Sequence, residues 1–86
     1  MLTICFDVAG TLVKPEGPRY DIIQILLTLK SLGHTVYVWS SGGVTFSEEW
    51  VMRLGLDVPV IEKGSITPDI AVDDEETGLG VVDLKV

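Results

Sequence analysis

Residues 2–12 read LTICFDVAGTL. Leu2 to Phe6 is an apolar run that stops at Asp7, and Gly10 to Pro18 is punctuated by glycine and proline, so the stretch predicts a strand running into a loop. Downstream, from about Arg19 to Leu32, Ile22, Ile25, Leu26, Leu29 and Leu32 recur at helical spacing, and Gly33 stands where a helix C-cap is expected. Thr35 to Trp39 is rich in β-branched and aromatic residues and is bounded by Gly33 and by Ser40, Ser41, Gly42 and Gly43, which predicts a second strand. Strand, helix, strand in that order is the signature of a parallel sheet.

Beyond the second strand, Thr45 with Glu48 three residues on reads as a capping box, and Phe46, Trp50, Val51 and Leu54 share one helical face up to Gly55. Val58 to Ile61 and Asp69 to Val72 predict two further strands, and Val81 to Val86 a fifth at the edge. No repeat, low-complexity segment or Gly/Ser-rich linker divides the chain, so residues 1–86 read as one α/β domain. Residues Gly64 to Pro68 are too few for a third helix, so the sheet face bearing Cys5, Tyr37, Trp39 and Ala71 is expected to lack cover. A homodimer through that face, or through a sheet edge, is the expected remedy.

Composition narrows the function classes. A net charge of −7 and the lack of a Lys/Arg cluster argue against generic nucleic-acid binding. No segment approaches the roughly 18 apolar residues of a membrane span, and Met1 to Phe6 has neither the basic region nor the length of a secretory signal, so a cytoplasmic protein is expected. The single cysteine, Cys5, reads as a core residue. His34 has no partner at metal-ligand spacing, and Trp39 and Trp50 read as packing residues.

In open parallel sheets the loops at the carboxyl ends of strands converge, so polar residues just after apolar runs are site candidates. Four places qualify: Asp7 to Thr11, Ser40 to Gly43, Lys63, and Asp73 with Asp74. A carboxylate nucleophile needs countercharge to approach a phosphoryl dianion, and Mg²⁺ held by further carboxylates together with a lysine supplies it. Asp7, Asp73, Asp74 and Lys63 have that composition. Gly10 permits close backbone approach, and the amides from Val8 to Thr11 are candidates for an anion-binding nest. Each feature also has an ordinary structural reading: a turn cap for Asp7, a solvated acidic loop for Asp73 to Glu76, a surface lysine, and a serine-glycine turn.

FDVAGTL (Phe6 to Leu12) resembles motif I of the haloacid dehalogenase (HAD) superfamily, an apolar strand ending in Asp-x-Asp-Gly-Thr. VYVWSSGG (Val36 to Gly43) is similar to motif II, Lys63 in IEKGS to motif III, and IAVDDEE (Ile70 to Glu76) to motif IV. The resemblance covers nearly the whole chain. It implies a minimal, capless HAD-like Rossmannoid fold: a mainly parallel sheet of about five strands, ordered 5-4-1-2-3, with two main helices. It further implies that Asp7 is a nucleophile forming an aspartyl phosphate and that Thr11, Ser40, Ser41, Gly42 and Lys63 surround the phosphate. Mg²⁺ would be bound by Asp7, Asp73, Asp74 and the backbone carbonyl of Ala9, and the substrate would be a small phosphorylated molecule.

The chain departs from the family at one position that matters. HAD phosphatases place a second aspartate, the general acid, where this sequence has Ala9. Protonating the leaving oxygen is worth about 10²–10⁴ in rate. The expectation is therefore a Mg²⁺-dependent phosphohydrolase that is slow or confined to good leaving groups. The alternative is a catalytically impaired module that binds phosphate, a nucleotide or a partner. A response-regulator receiver domain uses similar residues, but with the acidic pair first and the phosphorylated aspartate later, the reverse of the order here.

Overall fold

The computed structural model describes residues 1–86. The chain opens with β1 (Thr3–Asp7), passes through a small hairpin of β2 (Val13–Lys14) and β3 (Gly17–Pro18), and enters α1 (Tyr20–Ser31). It continues through β4 (Thr35–Trp39), α2 (Val44–Arg53), β5 (Ile70–Asp73) and β6 (Val82–Lys85). Four strands form one sheet in the order β4-β1-β5-β6, and every pairing in it is parallel.

The expected five strands are met in part. Val58 to Ile61 forms no strand, and its backbone pairs with β4 only through the parallel bridge Val38–Val60. Val38 N donates to Pro59 O and Ile61 N to Val38 O, both at 3.1 Å. Pro59 has no amide proton to extend the ladder, which is why proline in sheets is confined to edges. The segment predicted as loop from Gly10 to Pro18 contains the β2–β3 hairpin, whose reversal at Pro15 and Glu16 is completed by Gly17 at φ 137°.

In α1 the buried stripe is Ile22, Ile23 and Leu26, with Leu29 half-buried beside it. Ile25 and Leu32, expected on that face, are 47% and 68% exposed. With 3.6 residues per turn, a stripe centred on Leu26 places Ile25 about 100° away, on the helix flank. The helix ends at Leu32, and Gly33 follows at φ 91°, as the C-cap reading requires.

The capping box proposed for α2 is replaced by a different start. Gly43, at φ 100°, is the N-cap; Thr45 already lies inside the helix, and no side chain caps it. The chain leaves β4 through a turn closed by Gly43 N donating to Ser40 O at 3.0 Å, a geometry that glycine accepts and threonine resists. Phe46, Trp50, Val51 and Leu54 pack half-buried against the core, on the shared face that their spacing predicts.

Strand alternation sorts the interior into two layers. Ile4, Phe6, Val36, Val38 and Val72 face the helices in the larger cluster, where burying a side chain such as Phe6 contributes roughly 1.5–3 kcal/mol. Cys5, Trp39 and Ala71 face the other way and are at most 2% exposed, packed against half-buried Tyr37, Ile61 and Leu79. The face expected to be bare is thus covered within one chain. Its cover comes from the connection after Ile61 and the turn around Leu79, where Pro68 is fully buried.

The connection from Lys63 to Asp69 spans the height of the sheet in six peptide steps, within a reach of ~20 Å. It ends where Asp69 N donates to Thr3 O at 2.9 Å, and Asp69 Oδ2 accepts from Thr3 N at 2.8 Å. No helix is long and apolar enough to cross a membrane.

Candidate functional site

Asp7 is the last residue of β1, and the strand register sets it beside Trp39 on one side and next to the end of β5 on the other. Asp73 closes β5 and Asp74 follows it, so three carboxylates converge at the carboxyl end of the two central strands. Each offers one oxygen, and the three oxygens lie within 4.8 Å of one another. Asp7 and Asp73 are each 4% exposed, whereas Asp74 is half-buried at the rim.

Lys63 reaches this group from the connection that crosses the sheet. Its Nζ donates to Asp7 Oδ1 at 3.2 Å and to Asp73 Oδ2 at 2.9 Å. Asp73 Oδ1 accepts from the Glu75 amide at 3.1 Å, and the Thr11 hydroxyl donates to Asp7 Oδ2 at 3.5 Å. Thr11 is fully buried and holds Asp7 from below rather than offering its hydroxyl to a ligand in solvent.

Burial is the main reason that Asp7 holds its proton more tightly than an ordinary carboxyl; the Asp73 charge adds to this, and Lys63 offsets only part of it. Burial works the same way on Asp73, yet its hydrogen bonds from Lys63, Asp74 and the Glu75 amide outweigh it and hold it below the ordinary value. Asp74 is raised, first by the hydrogen bond that it shares with Asp73 and then by burial. Burial disfavours the Lys63 ammonium, but its bonds to Asp73 and the charge of Asp7 win, and Lys63 is raised. With all three acids ionised, three negative charges face one ammonium, and the group is left with a net −2. A compact set of hard oxygen donors with surplus negative charge fits a divalent cation of the Mg²⁺ or Ca²⁺ type.

Gly10 does more than permit close backbone approach. A Cβ built there would lie 2.6 Å from Asp74 Cγ, so the missing side chain is the seat of the Asp74 carboxylate. Two amides of the nest expected from Val8 to Thr11 bond within the loop instead. Gly10 N donates to Val13 O at 2.7 Å, and Thr11 N and Leu12 N both donate to Val8 O, so these amides are spent inside the loop. The Ala9 carbonyl takes no part in those bonds, and Ala9 itself is exposed.

Ser40 follows β4 directly and is 5% exposed, and its Oγ accepts from Gly42 N at 3.0 Å. That bond uses an acceptor position and leaves the hydroxyl proton for another partner. Ser41 and Gly42 lie exposed in the turn, and neither side joins the acidic cluster. The two surface hollows lie elsewhere, one between α2 and residues 56–60 and one along α1, and no residue of the acidic cluster lines either. Two contributors escaped sequence reasoning: the Glu75 amide, and Thr11 as a support for Asp7. The Asp-x-Glu spacing of Asp73 and Glu75 is compatible with a carboxylate accepting an amide two residues on, but nothing distinguishes it from other acidic runs. Comparison with family models, with curated proteins and with solved structures finds no match.

Proposed function

We propose that the chain is a Mg²⁺-dependent phosphohydrolase of HAD type, working through an aspartyl phosphate on Asp7 and suited to good leaving groups such as acyl phosphates. The observation that carries this reading is the Lys63 ammonium bridging Asp7 and Asp73, with Asp74 completing a three-carboxylate cluster. Asp7, Asp73, Asp74 and the Ala9 carbonyl would hold the cation, which supplies electrostatic stabilisation of the phosphoryl oxygens.

In this mechanism Lys63 neutralises charge on the incoming phosphoryl group and favours the ionised form of Asp7, against its burial. An Asp7 carboxylate oxygen attacks phosphorus, the P–O bond to the leaving group breaks, and the leaving oxygen departs with the electron pair. Water then attacks the aspartyl phosphate, releasing inorganic phosphate and regenerating the carboxylate. Ser40, which follows β4 beside β1, would donate its hydroxyl to a phosphoryl oxygen. Thr11 and the Glu75 amide act earlier, by orienting Asp7 and Asp73.

Ala9 shapes the choice of substrate. It lies exposed beside the nucleophile and carries no proton for the leaving oxygen, which confines turnover to groups that leave as stable anions. The same observation favours, as a second reading, a module that binds phosphate without turnover. Hydrolysis of an acyl phosphate and of an alkyl phosphate monoester, each with Mg²⁺, separates the two. Under the enzyme reading the wild type cleaves acyl phosphate, Asp7→Asn abolishes this, and Ala9→Asp gains the monoester. If neither substrate turns over in wild type or Ala9→Asp while phosphate still binds, the binding module is the better account.

A further inference from the structure

The outer edge of β6 has no partner, because the sheet ends there. Val82 N donates to Asp69 O at 2.9 Å and Val86 N to Asp73 O at 2.8 Å, so alternate residues of this strand turn their backbone groups toward β5. In a parallel ladder both groups of such a residue face the same neighbour, which leaves those of Asp83 and Lys85 facing outward. Val82 and Leu84 project on one sheet face and are 55% and 48% exposed. Asp83 and Lys85 lie on the other face, and neither forms an ion pair within its own chain.

We propose that this edge joins two copies of the chain, with the β6 strands antiparallel about a two-fold axis at Leu84, so that the two sheets become one. The charges select the register. A two-fold at Leu84 sets Asp83 opposite Lys85 of the second copy, and by symmetry Lys85 opposite its Asp83. A two-fold at Asp83 or at Lys85 sets like charges directly opposite, which destabilises a strand pair. In the selected register Asp83 and Lys85 exchange backbone hydrogen bonds across the axis through the outward-facing groups. On the other face Leu84 meets Leu84, and Val82 meets Val86, forming an apolar ladder from side chains that are otherwise half in water.

Asp83 remains available for its cross-axis partner. Its carboxylate accepts from the Gly78 and Gly80 amides, and an ionised carboxylate has about four lone-pair sites, so two are left for an ammonium. The pairing places no demand on the acidic cluster and stands or falls independently of the phosphohydrolase reading.

Sedimentation equilibrium of the full chain at micromolar concentration, together with oxidative cross-linking of Leu84→Cys, tests the proposal. Residues facing each other at the axis form a non-hydrogen-bonded pair with a Cα separation of about 4.5 Å, inside the roughly 4.4–6.8 Å range of disulfides. The expected result is a dimer mass, rapid disulfide dimer formation by Leu84→Cys, and none by Val81→Cys, whose copies lie far apart in this register. Cys5 is buried and does not compete. Lys85→Glu, at an exposed position, replaces two attractive pairs with repulsive ones and raises the dissociation constant about tenfold or more, with an unchanged far-UV circular dichroism spectrum. A monomer mass, cross-linking of Val81→Cys as fast as Leu84→Cys, or a Lys85→Glu dimer of unchanged affinity would each overturn it.

Discussion

Gly10 and Asp74 share a single volume: the space that a side chain at position 10 would fill is occupied by the Asp74 carboxylate, with Cγ only 2.6 Å from a Cβ built on Gly10. The two residues are far apart in sequence, and the Asp74 carboxylate can sit where it does only because position 10 has no side chain. Gly10 also sits at φ +86°, where an L side chain is strained.

Gly10→Ala therefore combines backbone strain with displacement of Asp74. We expect a loss of about 1–3 kcal/mol in chemical denaturation, typical of a residue forced into a disfavoured conformation, together with weaker cation binding. In an Asp74→Gly background the collision is gone and only the strain remains, so Gly10→Ala costs less there. Equal costs in both backgrounds would show that the two residues do not compete for space.

Asp74 is held at the rim beside Asp73 with surplus negative charge around it. Asp74→Asn removes one like-charge contact, and we expect the cation-free protein to gain a few degrees in Tm, about 1 kcal/mol or less for a partly exposed charge. The same variant gains less from added Mg²⁺ than wild type does, since a ligand is missing. Thermal melts with chelator and with millimolar Mg²⁺ measure both effects, and a variant that responds to Mg²⁺ like wild type removes Asp74 from the ligand set.

Lys63 offsets the burial of two carboxylates. Its side chain retains 17% exposure, so Lys63→Met at neutral pH should cost about 2–4 kcal/mol, somewhat below the ~3–5 for breaking a fully buried pair. The penalty depends on the ionisation of its partners. Asp7, with a folded pKa above its unfolded 3.8, adds stability that is present below 3.8 and lost as pH rises through the folded value. Asp73, held below 3.8 in the wild type, adds stability that is present above 3.8 and lost as pH falls through its folded value. Wild type and Lys63→Met should therefore differ most near neutrality and converge as the pH drops below 3.8. Denaturation curves across the acid range measure this, and a gap independent of pH would mean that Lys63 contributes packing rather than charge.

Cys5 is buried in the central strand, and burial pushes its thiol up to about 12 from an ordinary 9.0. We expect no reaction with thiol reagents in the native protein at pH 8 and full reaction on unfolding, so that Cys5 labelling reports global opening. The raised value also means that stability is fully present below pH 9.0 and falls as the pH rises from there toward about 12. Prompt labelling of the native protein would show that the sheet face over Cys5 opens locally.

Several elements are legible from local pattern alone. The apolar run into Asp7, the helical spacing around Leu26, the β-branched run from Thr35 to Trp39, and Gly33 as a helix stop each rest on periodicity or backbone preference within a few residues. Convergence of Asp7 with Asp73 and Asp74 is legible too, since strand ends in a parallel sheet share one side, whereas Lys63 follows a segment that forms no strand and reaches the cluster from the connection. Tertiary structure decided what depends on contacts across the chain. Pro59 reduced a predicted strand to one bridge, because the next ladder hydrogen bond would have to come from the amide that proline lacks. Ile25 turned to the flank of α1, because the sheet beneath selects one stripe among several apolar positions. Cys5, Trp39 and Ala71 were covered by Ile61 and Leu79, segments whose path over the sheet no local pattern encodes. The seat that Gly10 makes for Asp74 belongs to the same class: a void is defined by what another part of the chain brings into it, and that is settled only when the two strands lie side by side.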